Sequence, residues 1–224
     1  MVSFYLVPSW FFGFGIILEI LFALIAFAVA VTAFRIYKIS CQNEFRLFGF
    51  SFASISASYI LIALINLLVV SEIGGGMQEL SLSKITTLSL FGLYLHIFLF
   101  VSGLMVLCYT TLKLKNSKIL ILLIFMELFL ILLSGNKAFA FFLMTALFLS
   151  FLIAHYASEY ASRKNLRTFS ILLSFVILLV ARGALILSTR NYTGYVVSHL
   201  LELLAYSIIL ANLIFLLKHG KKKK

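Results

Sequence analysis

The feature that most narrows what this chain can become is a repeated run of apolar residues, each close to the length that crosses a bilayer. Such runs occupy residues 9–36, 47–71, 85–112, 119–134, 138–161, 168–188 and 195–217. A hydrocarbon core about 30 Å thick is spanned by about 20 residues of helix, at about 1.5 Å of rise each. Lipid offers no water to satisfy a backbone N–H or C=O, and an α-helix satisfies both within one segment. Composition agrees. Of 224 residues, 63% are hydrophobic and only 11% charged, where a soluble domain has about 25% charged. The sequence therefore predicts an all-α integral membrane protein: one seven-transmembrane-helix bundle over residues 1–217, followed by a basic tail at 218–224. The run at 119–134 is the shortest and stops at Ser134-Gly135-Asn136. A re-entrant hairpin there would reverse the direction of every later segment.

The basic residues argue for seven crossings. Arg35, Lys38 and Arg46 flank the first connection, Lys113, Lys115 and Lys118 the third, and Arg163, Lys164 and Arg167 the fifth, while Lys218 and Lys221 to Lys224 close the chain. Only Lys84, Lys137 and Arg190 fall on the other side. Cytoplasmic loops collect Lys and Arg, so the N-terminus is expected outside and the C-terminus in the cytoplasm, with the plasma membrane as the location. The net charge of +11 is then a matter of topology; it calls for membrane lipids as partners and not for nucleic acid. The first run opens at Pro8-Ser9-Trp10 with no Lys or Arg before it. A secretory signal would carry a basic start, so this run reads as a retained helix. Asn191-Tyr192-Thr193 is a glycosylation sequon in an outward connection.

Catalytic and metal chemistry find little footing. The chain has no aspartate, which counts against membrane enzymes built on clustered Asp ligands. Cys41 and Cys108 fall on the cytoplasmic side, where a disulfide is not expected, and their separation is no metal motif. Ser134 lacks the surroundings of an intramembrane protease nucleophile, and no His-Glu-x-x-His motif occurs. The last segment has no mid-helix lysine for a retinal Schiff base and no Asn-Pro, and the third ends Cys108-Tyr109-Thr110 without an acidic-arginine pair. Gly74-Gly75-Gly76 lacks the strand and lysine of a phosphate-cradling loop. No enzyme and no metal are expected. Haem b is the one cofactor that intramembrane histidines raise. A depth difference of about 10 Å between His96 and His199 counts against it.

Charged and titratable groups at membrane depth are costly, about 2.5–3.5 kcal/mol each on insertion scales, so each needs a reason. They are Glu19, His96, Glu127, His155, Arg182, His199 and Glu202. Counted along the helices, all but His155 fall in the outer half, with Glu127, Arg182, His199 and Glu202 shallower than Glu19 and His96. Tyr195, His199, Glu202 and Tyr206 form one stripe on the last helix. Glu19 shares a line with Gly15, Ala23, Ala26 and Ala30, and His96 with Ser89, Gly92 and Gly103; small residues mark close helix contact. Ser51, Ser54 and Ser58 share a face of the second helix, with Asn66 further along. The expected intramembrane polar cluster is therefore Arg182, His199, Glu202, Glu19, Glu127 and His96. Two uses of it are compatible: an internal ion pair of Arg182 with Glu202 or Glu127, and an outward pocket in which Arg182 and His199 receive an anionic or polar ligand.

The run Phe34-Arg35-Ile36-Tyr37-Lys38 leading to Phe45-Arg46-Leu47-Phe48, with Ser198-His199-Leu200-Leu201-Glu202-Leu203-Leu204-Ala205-Tyr206 in the last helix, resembles the seven-helix MASE-type sensor modules that precede histidine kinases and cyclic-nucleotide enzymes in bacteria and archaea. The resemblance implies a sensory role, but this chain reads Lys218-His219-Gly220 and four lysines where that family runs on into a signalling domain. A stand-alone sensor would need a signalling partner protein or membrane complex and a small ligand from the outer side. The alternatives are a small transporter or proton- or ion-conducting protein, and a structural subunit of a membrane complex.

Overall fold

A computed structural model describes residues 12–74, 82–114, 116–187 and 192–221. These form seven helices: α1 (Phe12–Ser40), α2 (Asn43–Gly74), α3 (Leu82–Thr111), α4 (Ser117–Leu133), α5 (Lys137–Arg163), α6 (Leu166–Leu187) and α7 (Tyr192–Lys221). No strand occurs among the described residues. Six helices, all but α4, are long and apolar enough to cross a membrane. The chain is therefore an all-helical, multi-pass membrane protein. The 17 residues of α4 reach only about 25 Å at about 1.5 Å each. The Pro8–Trp10 start, Gly75 and Gly76, Lys115, Arg190, the sequon's Asn191 and the last three lysines lie outside the described residues. Helix α7 continues through Lys221, so the expected tail boundary at 218 falls inside a helix.

Local chemistry sets several ends. Asn116 caps α4 by accepting from the Lys118 N–H at 3.0 Å, Asn136 caps α5 from Phe139 at 3.1 Å, and Asn165 caps α6 from Arg167 at 3.0 Å. A short amide satisfies one of the orphan N–H groups of a first turn. Helices α1, α3 and α5 run out at non-glycine residues in the left-handed region: Cys41 (φ 55°), Lys113 (φ 52°) and Lys164 (φ 47°). Lys137 folds back on the end of α4. Its ammonium donates to the carbonyls of Ile131 (2.9 Å), Leu132 (3.0 Å) and Ser134 and lies 5.2 Å from the Tyr94 ring. The negative end of the α4 dipole suits a cation.

Side-chain pairs fix the directions. Ser54 Oγ donates to the Leu99 carbonyl at 2.7 Å and Ser58 meets His96, so α2 and α3 are antiparallel. The serine stripe of α2 faces α3. Ser56 Oγ donates to the Ala23 carbonyl at 2.8 Å, and Asn66 reaches Glu19, so α1 and α2 are antiparallel too. Asn212 Nδ2 donates to the Arg167 carbonyl at 3.0 Å and Arg182 meets Glu202, giving the same sense to α6 and α7. By contrast α3 and α5 run parallel: the Phe100 and Phe141 rings are 5.6 Å apart, and Cys108 Sγ lies 3.6 Å from the Phe148 carbonyl.

The contacts close six helices into a ring in the order α1, α2, α3, α5, α6, α7 and back to α1. Helix α4 stands outside it, against α3 and barely touching α5. The expected seven helices are present, and they are arranged as a six-helix ring with one flanking helix. The reason is topological. Parallel neighbours α3 and α5 need a return segment between them, and α4 lies on that path, on the outer flank. Its sequence suits that place: it buries only Glu127 and Ile131 and leaves Phe125, Phe129, Leu132 and Leu133 exposed, as a lipid-facing helix can.

Candidate functional site

The interior of the ring is apolar at Phe22, Ala26, Val29, Phe52, Ile55, Leu104 and Ile209, and the buried charged groups gather toward the end where α1 begins. Small residues make the close approach possible. Ala23, Ala26, Ala30 and Ala33 on α1 are buried, and dense packing of this kind substitutes for the hydrophobic drive that lipid cannot supply.

Arg182 on α6 is 7% exposed and Glu202 on α7 is 3% exposed. The Arg182 guanidinium Nη2 donates to Glu202 Oε1 and, at 3.2 Å, to the Tyr59 hydroxyl from α2. The Tyr59 hydroxyl in turn donates to the same Glu202 oxygen and lies 3.4 Å from the Tyr206 hydroxyl. The guanidinium carbon sits 4.6 Å from the centre of the Phe100 ring and 5.5 Å from that of Phe141. A cation over aromatic faces gains electrostatically, more so when desolvated. The charge of Arg182 is thus met by one carboxylate, one phenol and two ring faces, and helices α2, α3, α5, α6 and α7 are tied at one point. Of the two partners the sequence allows for Arg182, the structure gives it Glu202.

The remaining predicted residues divide. Glu19 on α1 is 9% exposed and accepts from Asn66 Nδ2 at 2.9 and 3.0 Å through its two oxygens. His96 on α3 brings Nδ1 within 2.6 Å of Ser58 Oγ and 3.2 Å of the Ser58 carbonyl. His199 on α7 donates from Nδ1 to the Tyr195 carbonyl at 2.9 Å, with its ring 4.3 Å from Tyr195 and 5.8 Å from Phe22. Glu19, His96, Arg182, His199 and Glu202 all line one cavity of about 410 Å³, with Asn66 and Tyr59 beside them. Glu127 does not line it. It is 1% exposed on the flanking helix and accepts from Ser102 of α3 at 2.9 Å, so it joins α4 to α3 and stands apart from the cluster. His155 packs against Tyr156 and is likewise not among the lining residues.

Tyr59, Phe100 and Phe141 are members that sequence reasoning missed. For Tyr59 a signal was present: Tyr59, Ile62 and Asn66 share one helical face. The two phenylalanines carry no such signal, because an aromatic beneath a cation reads like any other core residue. Among the described residues no group of three or more His, Cys, Asp or Glu side chains comes together to hold a metal ion. No protein-family model, curated protein or solved structure matches this chain.

Proposed function

We propose that this multi-pass protein makes seven crossings of the plasma membrane and acts as a sensory module. It takes a small ligand from the outer side into the cavity and passes the change in helix packing to a partner protein. The observation that carries this reading is the cavity itself. All six ring helices contribute to its wall, among them Glu19 of α1, Asn66 of α2, His96 of α3, Phe141 of α5, Leu185 of α6 and His199 of α7. Its volume of about 410 Å³ falls in the range of small-molecule sites, which are mostly apolar with a few convergent polar groups. A ligand that touches every helix of a ring can favour one packing of that ring over another, which is what a sensor requires.

The orientation rests on the basic residues. Arg35, Lys38, Arg46, Lys118, Arg163, Lys164 and Arg167 lie at the end where α1, α3, α5 and α7 finish, the cytoplasmic end by the positive-inside tendency. The parallel run of α3 and α5 supports α4 as the seventh crossing. A direct check uses Cys41, which is free and exposed between α1 and α2, with Cys108 buried as an internal control. A membrane-impermeant maleimide is expected to label Cys41 in inside-out vesicles and not in intact cells. Labelling from the outside would reverse the assignment and turn the cavity toward the cytoplasm.

The ligand reading is tested by native mass spectrometry of the protein extracted gently from its own membranes. A small molecule of defined mass is expected on the intact protein, with its occupancy reduced in His199→Ala. A protein carrying only bulk lipid would overturn the reading.

A further inference from the structure

The ligand's chemistry follows from the charges that remain unmatched in the cavity wall, given the ligand-binding reading above. Three ionic side chains line it: Glu19, Arg182 and Glu202. Arg182 and Glu202 match each other in charge; Arg182 Nη2 also donates to Tyr59, and the guanidinium lies over the Phe100 and Phe141 rings. An anionic ligand at Arg182 would have to share that one cation with the Glu202 carboxylate. Glu19 has the opposite standing. It is buried, and among the described residues its hydrogen-bond donor is the neutral amide of Asn66 and no cation lies within ion-pair distance of it. Lys137, at that end of the bundle, is turned to the carbonyls of α4.

A second observation points the same way. His96 Nδ1 meets Ser58 twice, its Oγ at 2.6 Å and its carbonyl at 3.2 Å, and the tautomer that bonds to the carbonyl carries its proton on Nδ1. Nε2 of the neutral ring is then an acceptor, and no hydrogen bond to it occurs among the described residues. The cavity thus presents a carboxylate and an imidazole acceptor against apolar walls that include Ile16, Ile62, Leu93 and Leu185. A buried carboxyl without a cationic partner either stays neutral or carries its charge at a cost, and an incoming cation with N–H donors favours the carboxylate while satisfying the acceptors. We infer that the cavity binds a small lipophilic amine, its ammonium group on Glu19 and its apolar body against Ile16, Ile62 and Leu93. Of the anionic or polar ligand expected at Arg182 and His199, this inference takes the polar, cationic case and anchors it on Glu19.

The test is binding of three compounds of matched size to the purified full chain in mild detergent: phenethylamine, phenylacetate and phenethyl alcohol. Hydrogen bonds to charged groups exceed neutral ones by enough to give roughly tenfold in affinity. Phenethylamine is therefore expected to bind about tenfold or more tighter than the other two. Glu19→Gln keeps an acceptor for Asn66 Nδ2 and is expected to erase the gap between amine and alcohol. Should that variant not fold, the ranking on the unaltered chain decides alone. Tightest binding by phenylacetate would overturn the inference and make Arg182 the anchor. Equal binding by all three would overturn the amine class and leave the cavity reading standing. An amine preference that survives Glu19→Gln would overturn the role of Glu19. Binding by none would overturn the amine class, and the cavity reading would then rest on the native mass spectrum.

Discussion

Arg182→Met is expected to destabilise the protein by about 3–5 kcal/mol, the usual cost of leaving one half of a buried ion pair without its partner. Methionine retains an unbranched apolar stem to pack on Phe100 and Phe141, so the loss isolates the charge. What remains is the Glu202 carboxylate, 3% exposed, with a single phenol donor from Tyr59. The measurement is the thermal unfolding midpoint in mild detergent. Glu202→Met is expected to cost a similar amount, because it strands the guanidinium. The informative variant carries both changes. Replacing a buried pair by apolar residues of similar size is often neutral or better, so the double variant is expected to recover most of the loss. A double variant as damaged as the sum of the two singles would mean that Arg182 and Glu202 do not act as a pair, and the centre of the proposed site would fail with them.

The same pair shows how far the sequence could be read. Every helix was legible, because lipid allows a lone chain segment few other structures and the polar breaks are short. The polar residues stood out because lipid penalises them. Their partners were another matter. Counting along each helix places Arg182 well above His96, yet both sit against Phe100 and Phe141. A count of residues ignores helix tilt and offset, and the long stem of arginine carries its charge several ångströms from its own Cα. Depth also says nothing of azimuth. Glu127 shares a depth with the cluster and lies outside the ring, because α4 is apolar on nearly every side and its sequence marks no inward face. Only the parallel run of α3 and α5 explains why this helix, and no other, was left outside.

Gly103→Leu is expected to cost about 3 kcal/mol, at the upper end of what overpacking a tight contact does, and to weaken the cavity as well. A Cβ added at Gly103 would lie 2.8 Å from the Ser51 carbonyl oxygen and 2.7 Å from Ile55 Cγ1. The first of these is backbone, so no rotamer change relieves it and α2 must move off α3. Gly92 is the useful contrast: its Cβ would meet the end of the Ile65 side chain, which can turn aside. At Gly183 nothing lies within 4 Å, so Gly183→Ala in a helix interior is expected to be neutral or to add about 0.5–1 kcal/mol. The functional consequence follows from what α2 carries. Ser54 and Ser58 hold it to Leu99 and His96, while Tyr59 and Asn66 reach from it to Glu202 and Glu19. A helix displaced at Gly103 takes both donors away from both carboxylates. Gly103→Leu is therefore expected to lower the thermal midpoint and the affinity for phenethylamine together, although Gly103 does not itself line the cavity. A midpoint that falls while binding stays intact would show that the two ends of α2 move independently, and that the cavity does not report on the packing of the ring.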